Sequence, residues 1–157
     1  MKKYIIITVI SFPILCFFAS LPFYFNDSNL GFSSAFFEAT SGLTTTGASI
    51  FNDVESLPKG LLVWRALIQW LGGIGIIIFA IAILPILNIG GMQLFTKDWK
   101  EKDFDLHYRS KELAKLVGIV YLFFTFLIFL LLWILGMPIF QAFCHALTTV
   151  ATGGFST

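Results

Sequence analysis

Apolar residues along this chain occur in runs of two lengths, long and short, separated by brief polar intervals. From Tyr4 to Phe25 no charge interrupts the run. At about 1.5 Å of rise per residue, a helix over that stretch crosses a hydrocarbon core of about 30 Å. A second long run extends from Leu61 to Leu87, broken only near its start by Arg65 and Gln69, and a third, uncharged, from Leu116 to Leu135. The short runs are Gly31 to Leu43 and Ile139 to Thr149. Each is too short to span and has the length of a re-entrant half-helix. The pattern predicts span, half-helix, loop and span, then span, half-helix and loop again.

Breakers mark the boundaries. Asn26-Asp27-Ser28-Asn29 is a turn and helix-start signal, and the polar return from Asn52 to Gly60 predicts a new helix near Pro58. Pro13 is a site for a kink in the first span, and Pro22 sits near its outer end. Pro85, Gly90 and Gly91 are expected to end or bend the second span, and Gly136-Met137-Pro138 to break the third. Each short run leads into small residues: Thr44-Thr45-Thr46-Gly47-Ala48-Ser49 after the first, Ala151-Thr152-Gly153-Gly154-Phe155 after the second. Setting Phe37 to Gly47 over Phe143 to Gly153 keeps the opening Phe and the closing Thr-Gly in register without a gap, a weak internal repeat. Polar, glycine-containing backbone is tolerated at membrane depth only when it is buried in protein or lines a water-filled path, because lipid cannot satisfy its amides.

Composition turns this pattern into a class. The 157 residues are 57% hydrophobic and 12% charged, with a mean hydropathy of +0.88, which makes the chain an integral membrane protein. The first run reads as a retained span rather than a cleaved signal, whose apolar core is about 7 to 15 residues and ends in a small-x-small site that Ala19-Ser20-Leu21 matches poorly. A net charge of +1 gives no ground for a nucleic-acid partner. Of the ten basic residues, six (Lys97, Lys100, Lys102, Arg109, Lys111 and Lys115) cluster in one interval with Asp98, Glu101, Asp103, Asp105 and Glu112, which reads as a solvated connector. With Lys2 and Lys3 they place the N terminus and the connector in the cytoplasm by the positive-inside bias, and both Thr-Gly loops toward the outer face. The expected division is 1–95 as a first span, loop and span repeat, 96–112 as the cytoplasmic connector, and 113–157 as a second repeat without its closing helix. Cys16 and Cys144 lie in apolar surroundings with no CxxC or CxxH spacing, so they read as small buried hydrophobes.

The loops carry the candidate chemistry. An ion leaving water needs replacement oxygens, and backbone carbonyls supply them to K⁺ without any charged ligand. Glycine accepts the positive φ that turns successive carbonyls toward one axis, threonine adds a hydroxyl oxygen, and the C-terminal end of a half-helix favours a cation. The plainer alternative is a glycine-rich, helix-terminating loop in a generic membrane protein; two copies facing the same side weigh against it. Glu38 has two open roles, a cation-attracting carboxylate near a pore or a structural hydrogen bond behind the loop. Arg65 either pairs with Glu38 or snorkels to the outer interface, and the sequence favours snorkelling. His145 reads as a helix-packing residue, since no second metal ligand lies at helical spacing. Gly72-Gly73-Ile74-Gly75 reads as a close-packing site rather than a phosphate loop. No paired nucleophile and base, HExxH or P-loop motif is present, so the chain is not expected to be an enzyme.

Several stretches carry a family resemblance. Phe36 to Ala48, Ser56 to Leu62, Gln69 to Ile77, Ala82 to Leu87 with Gly90 to Leu94, and Thr148 to Thr157 together resemble the TrkH subfamily of the Trk/Ktr/HKT potassium transporters over nearly the whole chain. The resemblance implies an all-α membrane protein of the potassium-channel type, with four linked repeats of helix, re-entrant pore loop and helix around one pore. It also implies a multi-pass, K⁺-transporting subunit of the bacterial inner membrane with no organic cofactor, dimeric as the full subunit and controlled by a cytosolic nucleotide-binding regulatory subunit. By position, Thr45, Thr46 and Gly47 match the first filter strand, and Ala151, Thr152 and Gly153 the second. The remaining repeats of a TrkH-like pore, with the family's gate and later basic pore residue, have no counterpart here. The expectation is therefore the pore-forming N-terminal portion of a Trk-type K⁺ uptake system, the alternative a non-transporting truncated fragment that only folds or assembles with another chain.

Overall fold

The structure, a computed structural model, describes residues 2–26, 30–87 and 103–157, and every regular element among them is helical. Five helices follow in order: α1 Lys2–Asn26, α2 Phe32–Leu43, α3 Lys59–Leu87, α4 Asp103–Ile134 and α5 Ile139–Val150. The three long runs became α1, α3 and α4, each with a window apolar and long enough to cross a membrane. The two short runs became α2 and α5, of 12 residues each. Pro58 stands just before α3, where its carbonyl accepts from the amides of Leu61 and Leu62 and its missing amide costs nothing. Pro13 and Pro22 both lie inside α1. Helix α4 begins at Asp103, well before the uncharged run at Leu116, so the end of the charged interval is helical. Gly90, Gly91 and the connector residues up to Lys102 lie outside the described residues.

Helix α3 is the shared wall. It packs against α2 on one side and α5 on the other, while α1 covers α2 and α4 covers α5. Ala19 and Phe23 of α1, Ala35 and Ala39 of α2, and Leu61 and Ile68 of α3 form one buried cluster. Ala66 of α3 with Cys144 and Leu147 of α5 form a second. Small residues recur at these seams because, in lipid, helices associate through close backbone approach rather than through expulsion of water. Ala35, Glu38, Ala39 and Gly42 give α2 a narrow buried face at helical spacing. Both cysteines are free and buried, as their surroundings in the sequence predict.

Polar ties also cross these seams. The Trp64 indole donates to the Ala19 carbonyl at 3.0 Å, joining α3 to α1. The Trp70 indole donates to Thr125 Oγ1 at 3.1 Å, and the Tyr121 hydroxyl donates back to the Trp70 carbonyl at 3.0 Å, joining α3 to α4. On its other faces α4 exposes a nearly continuous apolar surface, from Leu113 through Phe126 to Ile134, suited to lipid or to further membrane-embedded protein.

Candidate functional site

The glycine cluster of α3 brings the two loops together. Gly72 lies against the carbonyl of Leu43, the last residue of α2, leaving no room for a β-carbon. Gly73 faces the other way, and a β-carbon there would stand 3.0 Å from Cα of Ala151 and 2.7 Å from the Tyr121 hydroxyl. Adjacent glycines thus seat the ends of both short helices on one turn of α3. The close-packing reading holds for this pair and not for Gly75, which meets nothing within 4 Å.

Past its helix each chain turns in the same way. After α2 the amides of Thr44, Thr45 and Thr46 donate to the carbonyls of Thr40, Gly42 and Ser41. After α5 the amides of Ala151, Thr152 and Gly153 donate to Leu147, Thr149 and Thr148. Thr45 and Thr152 both take left-handed backbone, at φ 55 and 54°, and two residues later Gly47 and Gly154 do so again, at φ 76 and 80°. A left-handed threonine costs about 1 to 2 kcal/mol, so finding one at the same step of both turns marks a specified geometry. Beyond these turns no protein donor reaches the carbonyl oxygens of Thr45, Thr46 and Gly47, or of Thr152, Gly153 and Gly154, among the described residues.

These turns correct the register of the repeat. The identity-based match pairs Gly47 with Gly153, whereas the helix ends, the hydrogen bonds and the positive φ angles pair Gly47 with Gly154. Ala151, expected in the second loop strand, is the C-cap of α5, buried at 4% exposure against Gly73. In this register Thr45, Thr46 and Gly47 correspond to Thr152, Gly153 and Gly154. The two loops also touch, since Gly47 sits against the Gly153 carbonyl where a side chain would collide with it.

Behind the loops lies a buried polar cluster that the sequence reading assigned differently. Arg65 does not snorkel: it is 2% exposed, and its Nε donates to Glu38 Oε1 at 2.8 Å. Lipid offers no partner for either charge, while α2 and α3 pack closely enough to give each the other. Of the two roles open to Glu38, the described contacts are those of the structural one. Its carboxylate also accepts from the Ser49 hydroxyl at 2.9 Å and from the Ile50 amide at 2.9 Å. One turn along α3, Gln69 Oε1 accepts from the Phe155 amide at 3.1 Å, and its side chain fills the space beside Gly153. Gln69 Nε2 and Ser41 Oγ are buried without a protein partner among the described residues. His145 reaches Thr157 Oγ1 at 3.3 Å. No group of three metal-ligating side chains occurs among the described residues.

Arg65 and Gln69 were visible in the sequence as the only polar residues of their span, four apart and therefore on one helix face. That spacing was the available signal for the cluster, because two polar residues on one face of a membrane helix face protein rather than lipid.

A family model described as TrkH, cation transport protein, matches residues 1–157. Among curated proteins, the chain is 45% identical over 155 residues to the Trk system potassium uptake protein TrkH of Salmonella typhimurium, covering 97% of this chain and 32% of that protein. It is 40% identical over 134 residues to the Trk system potassium uptake protein TrkG of Escherichia coli K12, covering 84% of this chain and 28% of that one. Among solved structures, the crystal structure of the potassium transporter TrkH from Vibrio parahaemolyticus superposes with a TM-score of 0.83 at 39% identity, over 99% of this chain and 31% of that one. The chain spans about a third of the length of the curated relatives it matches.

Proposed function

The chain belongs to the TrkH family of cation transport proteins, and on that premise we propose that it is a pore-forming part of a Trk-type K⁺ uptake system. Its two loops supply carbonyl-lined filter strands, Thr45-Thr46-Gly47 and Thr152-Gly153-Gly154, the second one residue later than the expected Ala151 to Gly153. The observation that carries this reading is the matched pair of turns: two touching loops with left-handed backbone at equivalent steps and carbonyls that no donor among the described residues occupies. Such oxygens suit a weakly hydrated monovalent cation, which sheds water for carbonyl dipoles at little net cost. The C-terminal ends of α2 and α5 add partial negative charge on the same side. K⁺ is the transported ion, and the reading needs no organic cofactor and no catalytic group.

The same proposal covers what the family resemblance implies for the assembly. Residues 1–95 and 113–157 are successive repeats joined by a cytoplasmic connector at 96–112. The N terminus is cytoplasmic, the membrane is the bacterial inner membrane, and the loops open outward. Oxygens on the remaining sides of the ion come from the other repeats of a TrkH-like pore, in a subunit that is dimeric and meets a cytosolic nucleotide-binding regulatory subunit.

The filter reading is tested by Gly47→Ser in the transport-competent protein, assayed in cells deficient in K⁺ uptake. A side chain at φ 76° against the Gly153 carbonyl displaces both strands, so discrimination of K⁺ over Na⁺ is expected to fall. Unchanged rate and preference would remove Gly47 from the filter. Orientation is tested with an impermeant thiol reagent: Asp53→Cys should label from outside and Asp103→Cys only from inside, and the reverse would turn the loops inward. Expressed by itself, the 157-residue chain is expected not to restore growth at low K⁺, because two strands surround only part of an ion. K⁺-selective flux through liposomes holding this chain and no other protein would refute that.

A further inference from the structure

Arg65 touches three separate segments with one rigid group. Nε donates to Glu38 of α2 at 2.8 Å, Nη2 to the Ser49 hydroxyl at 3.1 Å, and Nη1 to the Ser156 carbonyl at 3.1 Å. Its guanidinium lies over the Phe155 ring, 4.3 Å from the centroid. Ser49 and Ser156 each stand two residues past a left-handed glycine, Gly47 and Gly154, so they are equivalent positions on the limbs by which the two loops leave the turn. Glu38 neutralises the charge, which leaves the planar fork of donors as the distinctive contribution of this side chain. The distance between its two terminal nitrogens is fixed by covalent geometry. The distance between the two limbs is fixed with it.

Building on the filter reading above, we propose that Arg65 is the positioning residue that sets the spacing of the two loop strands and, through that spacing, the preference for K⁺ over smaller monovalent cations. No other described side chain bonds both exit limbs: Gln69 holds the second alone, through the Phe155 amide, and Glu38 the first alone, through Ser49 and the Ile50 amide. Lysine keeps the charge opposite Glu38 but is a point donor on a flexible stem, so it satisfies the carboxylate without holding the limbs at a fixed separation.

The test is Arg65→Lys in the transport-competent protein, with K⁺ and Na⁺ uptake measured as functions of concentration and membrane content by immunoblot. The expected result is protein content within about twofold of the parent and a ratio of K⁺ to Na⁺ half-saturation constants shifted against K⁺ by about fivefold or more. A role in folding alone would lower the maximal rates for both ions together and leave that ratio in place. An unchanged ratio in protein that accumulates overturns the inference. If Arg65→Lys does not accumulate, Ser49→Ala replaces it, because it removes one limb from the clamp while keeping the ion pair. A shift of about twofold or more is then expected, and no shift overturns the inference. Gly47→Ser measured alongside separates the two readings. A shifted ratio there with an unshifted one in the clamp variants removes the clamp alone, whereas no shift in Gly47→Ser removes the filter reading on which the clamp depends.

Discussion

Glu38 and His145 occupy the same step of their short helices, α2 and α5, yet they stand in different surroundings. Glu38 is fully buried, pairs with Arg65, and holds its loop through Ser49 and Ile50. His145 is half-buried and reaches one hydroxyl, that of Thr157. The loops beyond them differ in the same sense. The first carries threonine at position 46, whose hydroxyl lies 2.8 Å from that of Thr44, so its own side chains brace it. The second carries Gly153 at the matching step, pressed onto Gln69 of α3, and is braced by a neighbouring helix. Two copies of one turn can therefore share a backbone while drawing their rigidity from different sources, the Glu38 carboxylate and the loop's own hydroxyls in the first and the packing and hydrogen bond of Gln69 in the second.

The sharpest way to break this comparison is to remove the charge behind the first loop. Glu38→Gln leaves Arg65 buried without a counter-charge and is expected to cost about 3 to 5 kcal/mol, read as a lower unfolding temperature in detergent and loss of protein from the membrane. His145→Gln should cost about 1 kcal/mol, the worth of one modest hydrogen bond; equal losses would mean that the loops are held alike after all.

The glycines give the next largest contrast. Gly47→Ala meets both a positive φ and the Gly153 carbonyl and should cost about 2 to 4 kcal/mol. Gly154→Ala meets a positive φ in open space and should cost about 1 to 2 kcal/mol. Thermal unfolding of the two variants side by side tests whether contact between the loops, rather than backbone angle alone, requires glycine.

The smallest effect falls on α3. Gly72→Ala pushes a methyl into the Leu43 carbonyl and should cost about 1 to 3 kcal/mol. Gly75→Ala enters open space within the same helix and should be neutral or stabilising by up to about 1 kcal/mol. The reverse ranking would place the close approach of α2 and α3 elsewhere.

Much of the fold was legible because it depends on run length. A helix that must satisfy its own amides in lipid declares itself as an uninterrupted apolar run, and both short helices end within a residue of the apolar runs that mark them. The register of the second loop was not legible, because Thr152-Gly153 repeats the letters of Thr46-Gly47 while the helix end sets the turn one residue later. The burial of Arg65 escapes the sequence for a related reason. Snorkelling is a single-helix argument, and the partner that overrides it lies 27 residues upstream, brought near only by the packing of α2 on α3. Gln69, on the same face, was the clue that the sequence held.

The Arg65 and Glu38 pair also constrains how the protein is made. An unpaired arginine raises the free energy of inserting a membrane helix, by up to about 2.5 to 3.5 kcal/mol at the helix centre and by less toward the end where Arg65 stands. Glu38 leaves the ribosome before Arg65 does, on a segment too short to cross the bilayer by itself. Helix α2 is too short to span by itself, and α3 carries a buried cation that, among the described residues, only α2 neutralises. Biogenesis should therefore hold α2 and α3 together at the insertion machinery and release them as a docked unit, with the loop between them already tied by Ser49 and Ile50 before later helices arrive.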